Sequence, residues 1–315
     1  MSRPARILNR FQIVRSLATG GMGEIFLAED THGGGPAVLK MLRQDVVVDD
    51  AAARFEHEIE VLKALQHPRV PRYLADGTSN GVRVVALAHV DGLSCAELMD
   101  GLRRPLPLAT SLFLIVDVLQ ALHRAHTLTT DDGAPRGLVH RDVSPHNILC
   151  DSRGRGHLID FGVSTDKGFP DVTPEIVVGK VAYMAPEMAA GFGADARADQ
   201  FAAGVVLWEL VTGRRLFRGD SDQSTRRNVL ACTVPELGGR DGPDVPPSVA
   251  AVISRMLLPN RTHRYASCHE AAHALLLAAV DVELGVDVPA TQLMMEARRE
   301  KQPRARSSST LVLPT

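Results

Sequence analysis

The sequence predicts an α+β protein in which strands come first and helices follow. In residues 11–88, short apolar pieces are broken by glycine clusters, and only one stretch has helical spacing. From about Leu93 onward, apolar residues recur at helical intervals. Hydrophobic residues make up 45% and charged residues 23% of the 315 positions, an ordinary globular balance that can close a sizeable core. Domains of about 100–200 residues leave room for one large unit or two small ones.

Residues 11–42 read as strands and turns, punctuated by Gly20, Gly21, Gly23 and the Gly33-Gly34-Gly35 run. Residues 51–65 read as a helix, with Phe55, Ile59, Leu62 and Leu65 on one face, and His67-Pro68 ends it. Residues 82–88 form a near-continuous apolar strand. Further on, Leu112, Ile115, Val116, Leu119 and Leu122 keep helical spacing, and a polar turn follows at residues 129–133. Residues 148–150 and 157–159 read as a hairpin split by Gly154 and Gly156. A helix over residues 199–210 is apolar on most sides and therefore buried, with Gly213 placed to stop it. From about Pro289 the chain turns basic and serine-rich, and its composition predicts disorder beyond about Gln302. Met294-Met295 reads as a packing or surface element rather than a cofactor box.

The formal net charge of -2 argues against a general nucleic-acid or membrane-surface binder. No apolar run reads as a membrane span, because Asp117 and Glu209 interrupt the longest candidates. Residues 1–6 are not followed by the apolar stretch of a secretory leader, so the expected compartment is the cytoplasm. The four cysteines are scattered with no C-x-x-C pair, and the twelve histidines show no metal-ligand spacing. His123 and His126 share one helix and read as structural groups near residues 140–147.

Four local patterns carry chemistry. Residues 17–26 read Leu-Ala-Thr-Gly-Gly-Met-Gly-Glu-Ile-Phe between two strand-like pieces; glycines let backbone amides approach a phosphate, although such a stretch alone is also an ordinary turn. Lys40 sits in an apolar strand after Ala37-Val38-Leu39, where an ammonium is costly to bury unless paired, and Glu58 on the next helix is a candidate partner. In His140-Arg141-Asp142-Val143-Ser144-Pro145-His146-Asn147, a carboxylate that can take a hydroxyl proton lies five residues from an amide oxygen that can hold Mg²⁺. Asp160-Phe161-Gly162 then ends a strand with a second hard oxygen ligand.

Taken in order, these patterns resemble the eukaryotic-like (Hanks-type) Ser/Thr protein kinases of bacteria, over about residues 11–280. The family's signatures are a glycine-rich loop, a strand lysine, a helix glutamate, H-R-D-x-x-x-x-N, D-F-G and A-P-E. Here they fall at Gly20 to Gly23, Lys40, Glu58, His140 to Asn147, Asp160 to Gly162 and Ala185-Pro186-Glu187. Asp199 and Arg264 match two later family positions, an aspartate that braces the catalytic loop and an arginine that pairs with the A-P-E glutamate.

The resemblance implies a bilobal fold, with a small antiparallel β lobe carrying one helix (about 11–88) and a larger, mainly helical lobe (about 91–280). It implies a catalytic domain over residues 1–280 and a C-terminal extension over 281–315. It implies an ATP site formed by Leu17, Ala18, Thr19, Gly20, Gly21, Met22, Gly23, Ile25, Val38, Lys40, the gatekeeper Leu87, hinge residues His89 and Val90, and Leu149. It implies that Asp142 orients or deprotonates the acceptor hydroxyl, that Asn147 and Asp160 hold Mg²⁺ (or Mn²⁺), and that Lys40 and Glu58 complete the catalytic set. The substrates implied are protein Ser or Thr hydroxyls, the chain itself included, in intracellular signalling. Residues 160–187 would form the activation segment, and Arg141 beside the catalytic aspartate suggests control by a phosphate there, with Thr173 as the best-placed acceptor, then Ser164 and Thr165.

Several positions depart from the family pattern. Ala18 replaces the first loop glycine, and Val38 stands where an alanine usually meets the adenine. Ser144 replaces the lysine of H-R-D-x-K, and Lys180 replaces a threonine that usually bonds the catalytic aspartate. These substitutions support one rival reading, a pseudokinase scaffold. A second rival, a small-molecule phosphotransferase of similar fold, is opposed by the Glu187 and Arg264 pair, which supports the segment where protein substrates dock.

Overall fold

The computed structural model describes residues 6–19, 23–43, 49–166, 181–238, 245–280 and 289–301. The chain builds a five-stranded antiparallel sheet from β1 (Phe11–Thr19), β2 (Gly23–Asp30), β3 (Gly35–Leu42), β4 (Tyr73–Ser79) and β5 (Val82–Ala88), in the order β1-β2-β3-β5-β4. Helix α1 (Asp49–Ala64) comes between β3 and β4. Successive residues of β5 serve opposite faces, as a pleated strand requires. Val84 and Ala86 enter a small cluster with Phe11, Ala28, Ala37 and Leu39, whereas Val85 joins the large core that runs from α1 into the helices.

The larger lobe opens with β6 (Gly92–Ser94) and α2 (Cys95–Leu102), then α3 (Leu108–His126). Ser94 caps α2 through a reciprocal capping box with Glu97, which satisfies amides at the helix start. Strands β7 (Ile148–Asp151) and β8 (Gly156–Leu158) join β6 in a three-stranded sheet. Helices α4 (Pro186–Ala189), α5 (Ala196–Thr212), α6 (Asp222–Ala231), α7 (Pro247–Met256), α8 (Cys268–Val280) and α9 (Ala290–Lys301) complete the described chain.

Helix α5 is buried from Ala198 to Thr212. It starts three residues earlier than the sequence suggests, because Asp195 caps it by accepting the Arg197 amide at 2.8 Å. Gly213 ends it at φ 66, where a side chain would also meet the Pro105 nitrogen at 2.9 Å.

The two acids that interrupt apolar helices are paired inside the protein. Asp117 accepts Arg155 at 2.6 and 2.8 Å and the Gly156 amide at 2.9 Å. Glu209 accepts the Tyr183 hydroxyl and Arg215, both at 2.9 Å. Helix α3 is long and apolar enough to cross a bilayer by length and composition, but it is mostly buried inside the larger lobe, as a core helix is. The four cysteines are unpaired, and burial raises their thiol pKa values, to about 12 for Cys150.

The extension beyond residue 280 includes α9, which packs on α2 through Leu293, Met294 and Ala297, all buried. The segment beyond Gln302, for which the sequence predicts disorder, lies outside the described residues.

Candidate active site

Alternation along β3 places Lys40. Ala37 and Leu39 fill the small cluster, so Val38 and Lys40 face the cleft side. Lys40 Nζ donates to Glu58 Oε1 and Oε2 at 2.8 and 2.7 Å and to Asp160 Oδ1 at 2.9 Å. Burial works against the ammonium, but the Asp160 and Glu58 carboxylates outweigh it and raise its pKa. Burial pushes the Glu58 carboxyl up to about 7 against the attraction of Lys40. The two shifts pull the shared contact in opposite senses. An ammonium donating to two carboxylates settles it in favour of a charged Lys40.

Asp160 adopts the left-handed region at φ 63, which turns its carboxylate back toward Lys40. Gly162 has a steric reason. A Cβ there would lie 3.1 Å from Asp160 Oδ1, 3.2 Å from Lys40 Nζ and 3.3 Å from Glu58 Oε2, crowding the whole cluster. Between them, Phe161 is fully buried and meets the His140 ring edge-on at 4.6 Å.

The loop over residues 140–147 hangs from Asp199. Asp199 Oδ2 accepts the His140 amide and Oδ1 accepts the Arg141 amide, each at 2.8 Å. His126 Nε2 lies 2.7 Å from Asp199 Oδ2. Burial alone would raise the Asp199 carboxyl, yet the contacts from His126 and His140 hold it below the usual carboxylate range. These bonds fix Arg141 at φ 67 and set Asp142 beside Asn147. Asn147 Nδ2 donates to Asp142 O at 2.9 Å and to Asp142 Oδ2 at 2.8 Å, which leaves the Asn147 amide oxygen for another partner.

The remaining ATP-site expectations fall on the strands around this cluster. Leu17, Ala18 and Thr19 lie on β1, with Ala18 opposite Ile25 of β2. Gly23 starts β2, where a Cβ would lie 2.6 Å from the Met41 carbonyl oxygen. Val38 faces Leu87 across β3 and β5. His89 and Val90 follow β5, and Leu149 on β7 faces Ser94. Gly20, Gly21, Met22, Thr173 and Lys180 lie outside the described residues.

The two phosphosite expectations that fall on described residues differ in exposure. Ser164 is buried, and its hydroxyl donates to the Phe161 carbonyl at 2.7 Å, so this conformation withholds it from a phosphoryl donor. Thr165 is partly exposed and exchanges backbone bonds of 2.9 and 3.0 Å with Val139. Ser144 is buried, and its carbonyl accepts the Asn147 amide at 3.0 Å.

The A-P-E glutamate is anchored as the resemblance implies. Arg264 donates to Glu187 Oε1 and Oε2 at 2.7 and 2.8 Å, and to the carbonyls of Leu258, Arg197 and Pro259 at 2.8, 3.0 and 3.1 Å. Sequence reasoning missed the ion pair that ties Arg136 to Asp166 Oδ2 at 2.7 and 2.9 Å just after Thr165. It read His126 as a structural group near residues 140–147 but did not place it against Asp199.

Among the described residues no group of three or more His, Cys, Asp or Glu side chains is arranged to hold a metal. A carboxylate at Asp160 and an amide oxygen at Asn147 suit Mg²⁺, which usually takes one or two protein oxygens and completes its shell with phosphate and water. Zinc would ask for more nitrogen or sulfur ligands.

The model of the protein kinase domain matches residues 11–276. The chain is 32% identical over 84% of its length to "Serine/threonine-protein kinase PrkC" of Bacillus subtilis. It is 31% identical over 86% to "Serine/threonine-protein kinase PknB" of Mycolicibacterium smegmatis, and 31% identical over 84% to "Tyrosine-protein kinase MasK" of Myxococcus xanthus. It spans only 40% of the first of these relatives, 43% of the second and 42% of the third. The crystal structure of the Mycobacterium tuberculosis PknI kinase domain superposes with a TM-score of 0.64 at 29% identity, covering 89% of this chain and 99% of that one. Together with the cluster of Lys40, Glu58 and Asp160 and the loop hung from Asp199, these likenesses give one conclusion: the chain belongs to the protein kinase domain family, among the bacterial Hanks-type Ser/Thr kinases.

Proposed function

We propose that the chain transfers the γ-phosphate of ATP to Ser and Thr hydroxyls of proteins, itself included, as a signalling kinase of the cytoplasm. The observation that carries this reading is the convergence of Glu58 and Asp160 on Lys40 Nζ within 2.9 Å, together with the Asp142 and Asn147 pair held at 2.8 Å. Lys40 is largely buried and held between two carboxylates, with only the Asp160 side chain substantially exposed, which presents one fixed ammonium beside a hard oxygen ligand.

In this reading Lys40 holds the α- and β-phosphates, with Glu58 fixing its direction. Asn147 and Asp160 would hold Mg²⁺, which would neutralise phosphate charge when bound. Residues 17–25 cover the phosphates, while Val38, Leu87, His89, Val90 and Leu149 surround the base. Asp142 accepts the hydroxyl proton as the acceptor oxygen forms its bond to the γ-phosphorus. The bond from that phosphorus to the β-bridging oxygen breaks, and ADP leaves with the electron pair. Catalysis then rests on positioning and charge neutralisation.

Acceptor class follows the relatives named as Ser/Thr kinases; the similar protein named as a tyrosine kinase makes Tyr the alternative outcome. Thr173 and Thr165 are the proposed activation acceptors, with Arg141 as the receiving cation. The test is transfer from ATP and Mg²⁺ to a basic carrier protein, with Asp142→Asn as control. Transfer to Ser or Thr that the control lacks supports the reading. No transfer by folded wild-type protein overturns it in favour of a scaffold.

A further inference from the structure

We infer that residues 290–301 are a working part of the catalytic unit: α9 clamps α2 and so sets the hinge and the floor of the cleft, with Gly101 and Ala297 as positioning residues. This inference rests on the proposed ATP site. The family match ends at residue 276, so the helix lies beyond the region that defines the domain.

The contact is intimate. A Cβ on Gly101 would fall 2.7 Å from the Cα, Cβ and carbonyl oxygen of Ala297, so the two backbones meet through the smallest side chains available. Leu293, Met294 and Ala297 are buried, whereas Met295 is 60% exposed, which gives α9 one apolar face directed at α2. Arg104, just past α2, makes two hydrogen bonds to Glu296, at 2.7 and 3.3 Å. Arg298 comes within 4.0 Å of Asp91, in the segment joining β5 to β6. At the other end, Ala290 lies where a Cβ on Gly154, in the turn between β7 and β8, would touch it at 3.4 Å.

One helix therefore reaches three structures that border the proposed nucleotide site. Asp91 follows Val90 of the hinge directly. Helix α2 continues from β6, whose Ser94 faces Leu149 on β7. Gly154 closes the β7–β8 hairpin that bears Leu149 and leads to Asp160. Release of α9 frees α2 and the hinge to shift, while Asp142, Asn147 and their support from Asp199 stay in place. The effect should fall on nucleotide affinity rather than on the chemical step.

The experiment uses the full chain with Ala297→Trp and, separately, Gly101→Leu, each of which wedges the helices apart from one side. Amide hydrogen exchange over 290–301 reports docking, and steady-state kinetics report KM for ATP and kcat. The expected result is faster exchange in α9, a KM for ATP raised about fivefold and kcat within about twofold of wild type. Met295→Ala, on the exposed face of α9, should match wild type. Should either bulky variant fail to fold, Glu296→Arg provides the same readout, and adding Arg104→Glu should restore it. Faster exchange with an unchanged KM for ATP would overturn the inference, as would free exchange of 290–301 in the wild type. Absence of phosphotransfer by the wild type would sink the proposed function instead, a distinct result.

Discussion

Lys40 Nζ donates to Asp160 Oδ1 at 2.9 Å, joining β3 to the residue 120 positions later that begins Asp160-Phe161-Gly162. With Glu58 on its other side, the lysine ties the small sheet, its helix and the larger lobe at a single charged group. The arrangement fixes one ammonium between two carboxylates, and it makes Lys40 the most informative residue to change.

Lys40→Met should lower kcat/KM for phosphotransfer by about a hundredfold or more, since it removes a preorganised cation from the reacting phosphates. It also leaves Glu58, whose side chain is 4% exposed, without its ion pair. Thermal unfolding of Lys40→Met against Lys40→Met/Glu58→Gln checks this, and the second substitution should recover part of the lost stability.

Arg264 has a side chain of 0% exposure and is held by Glu187. Glu187→Ala should therefore cost about 3–5 kcal/mol in unfolding free energy, because a buried guanidinium is left uncompensated. Glu187→Leu combined with Arg264→Met should cost less than either change alone. Denaturant titration of the single and double variants checks the ordering.

The charge of Asp199 accepts two backbone amides, and an amide side chain would turn a donor toward one of them. Asp199→Asn should lower kcat by about tenfold or more while leaving KM for ATP within about twofold, on the scale of a lost hydrogen bond to a charged group. His126→Ala should move kcat in the same direction by a smaller factor.

In the small lobe, Asp76 is shared by Lys63, Tyr73 and Arg83. Burial opposes its charge, but these partners lower its pKa from 3.8 to about 2. A depressed carboxyl contributes stability above its unfolded pKa and loses it as pH falls through the folded value, so the window here runs from about 4 down to about 2. Urea unfolding between about pH 5 and 3 should show a shallower loss of stability for Asp76→Asn than for wild type.

The sequence was most legible where residue type and spacing are both constrained by chemistry. Lys40, Glu58, the 140–147 loop and Asp160 to Gly162 stand together in the structure because each is costly elsewhere: a buried lysine needs carboxylates, and a methyl at Gly162 would crowd the three charged side chains. Helix α5 was legible from its apolar surround, but its start was not, because Asp195 rather than Asp199 caps it. The acids Asp117 and Glu209 looked like interruptions; their arginine partners lie 38 and 6 residues away, with no local signal to join them. Helix α9 was hardest to see. Its run of charges resembles a solvated arm, and the three residues that bury it, Leu293, Met294 and Ala297, have meaning only against Gly101, far away in sequence.

The central claim is phosphotransfer from the Lys40, Asp142 and Asp160 cluster. The most direct measurement is incubation of the full chain with γ-labelled ATP and Mg²⁺, followed by mapping of the label, beside Asp160→Asn. Label on Ser or Thr, with Thr173 or Thr165 among the sites, that disappears in Asp160→Asn is the predicted result. Folded wild-type protein with no label above that control would contradict the account and direct attention to Ser144 and Lys180 as the first residues to revert.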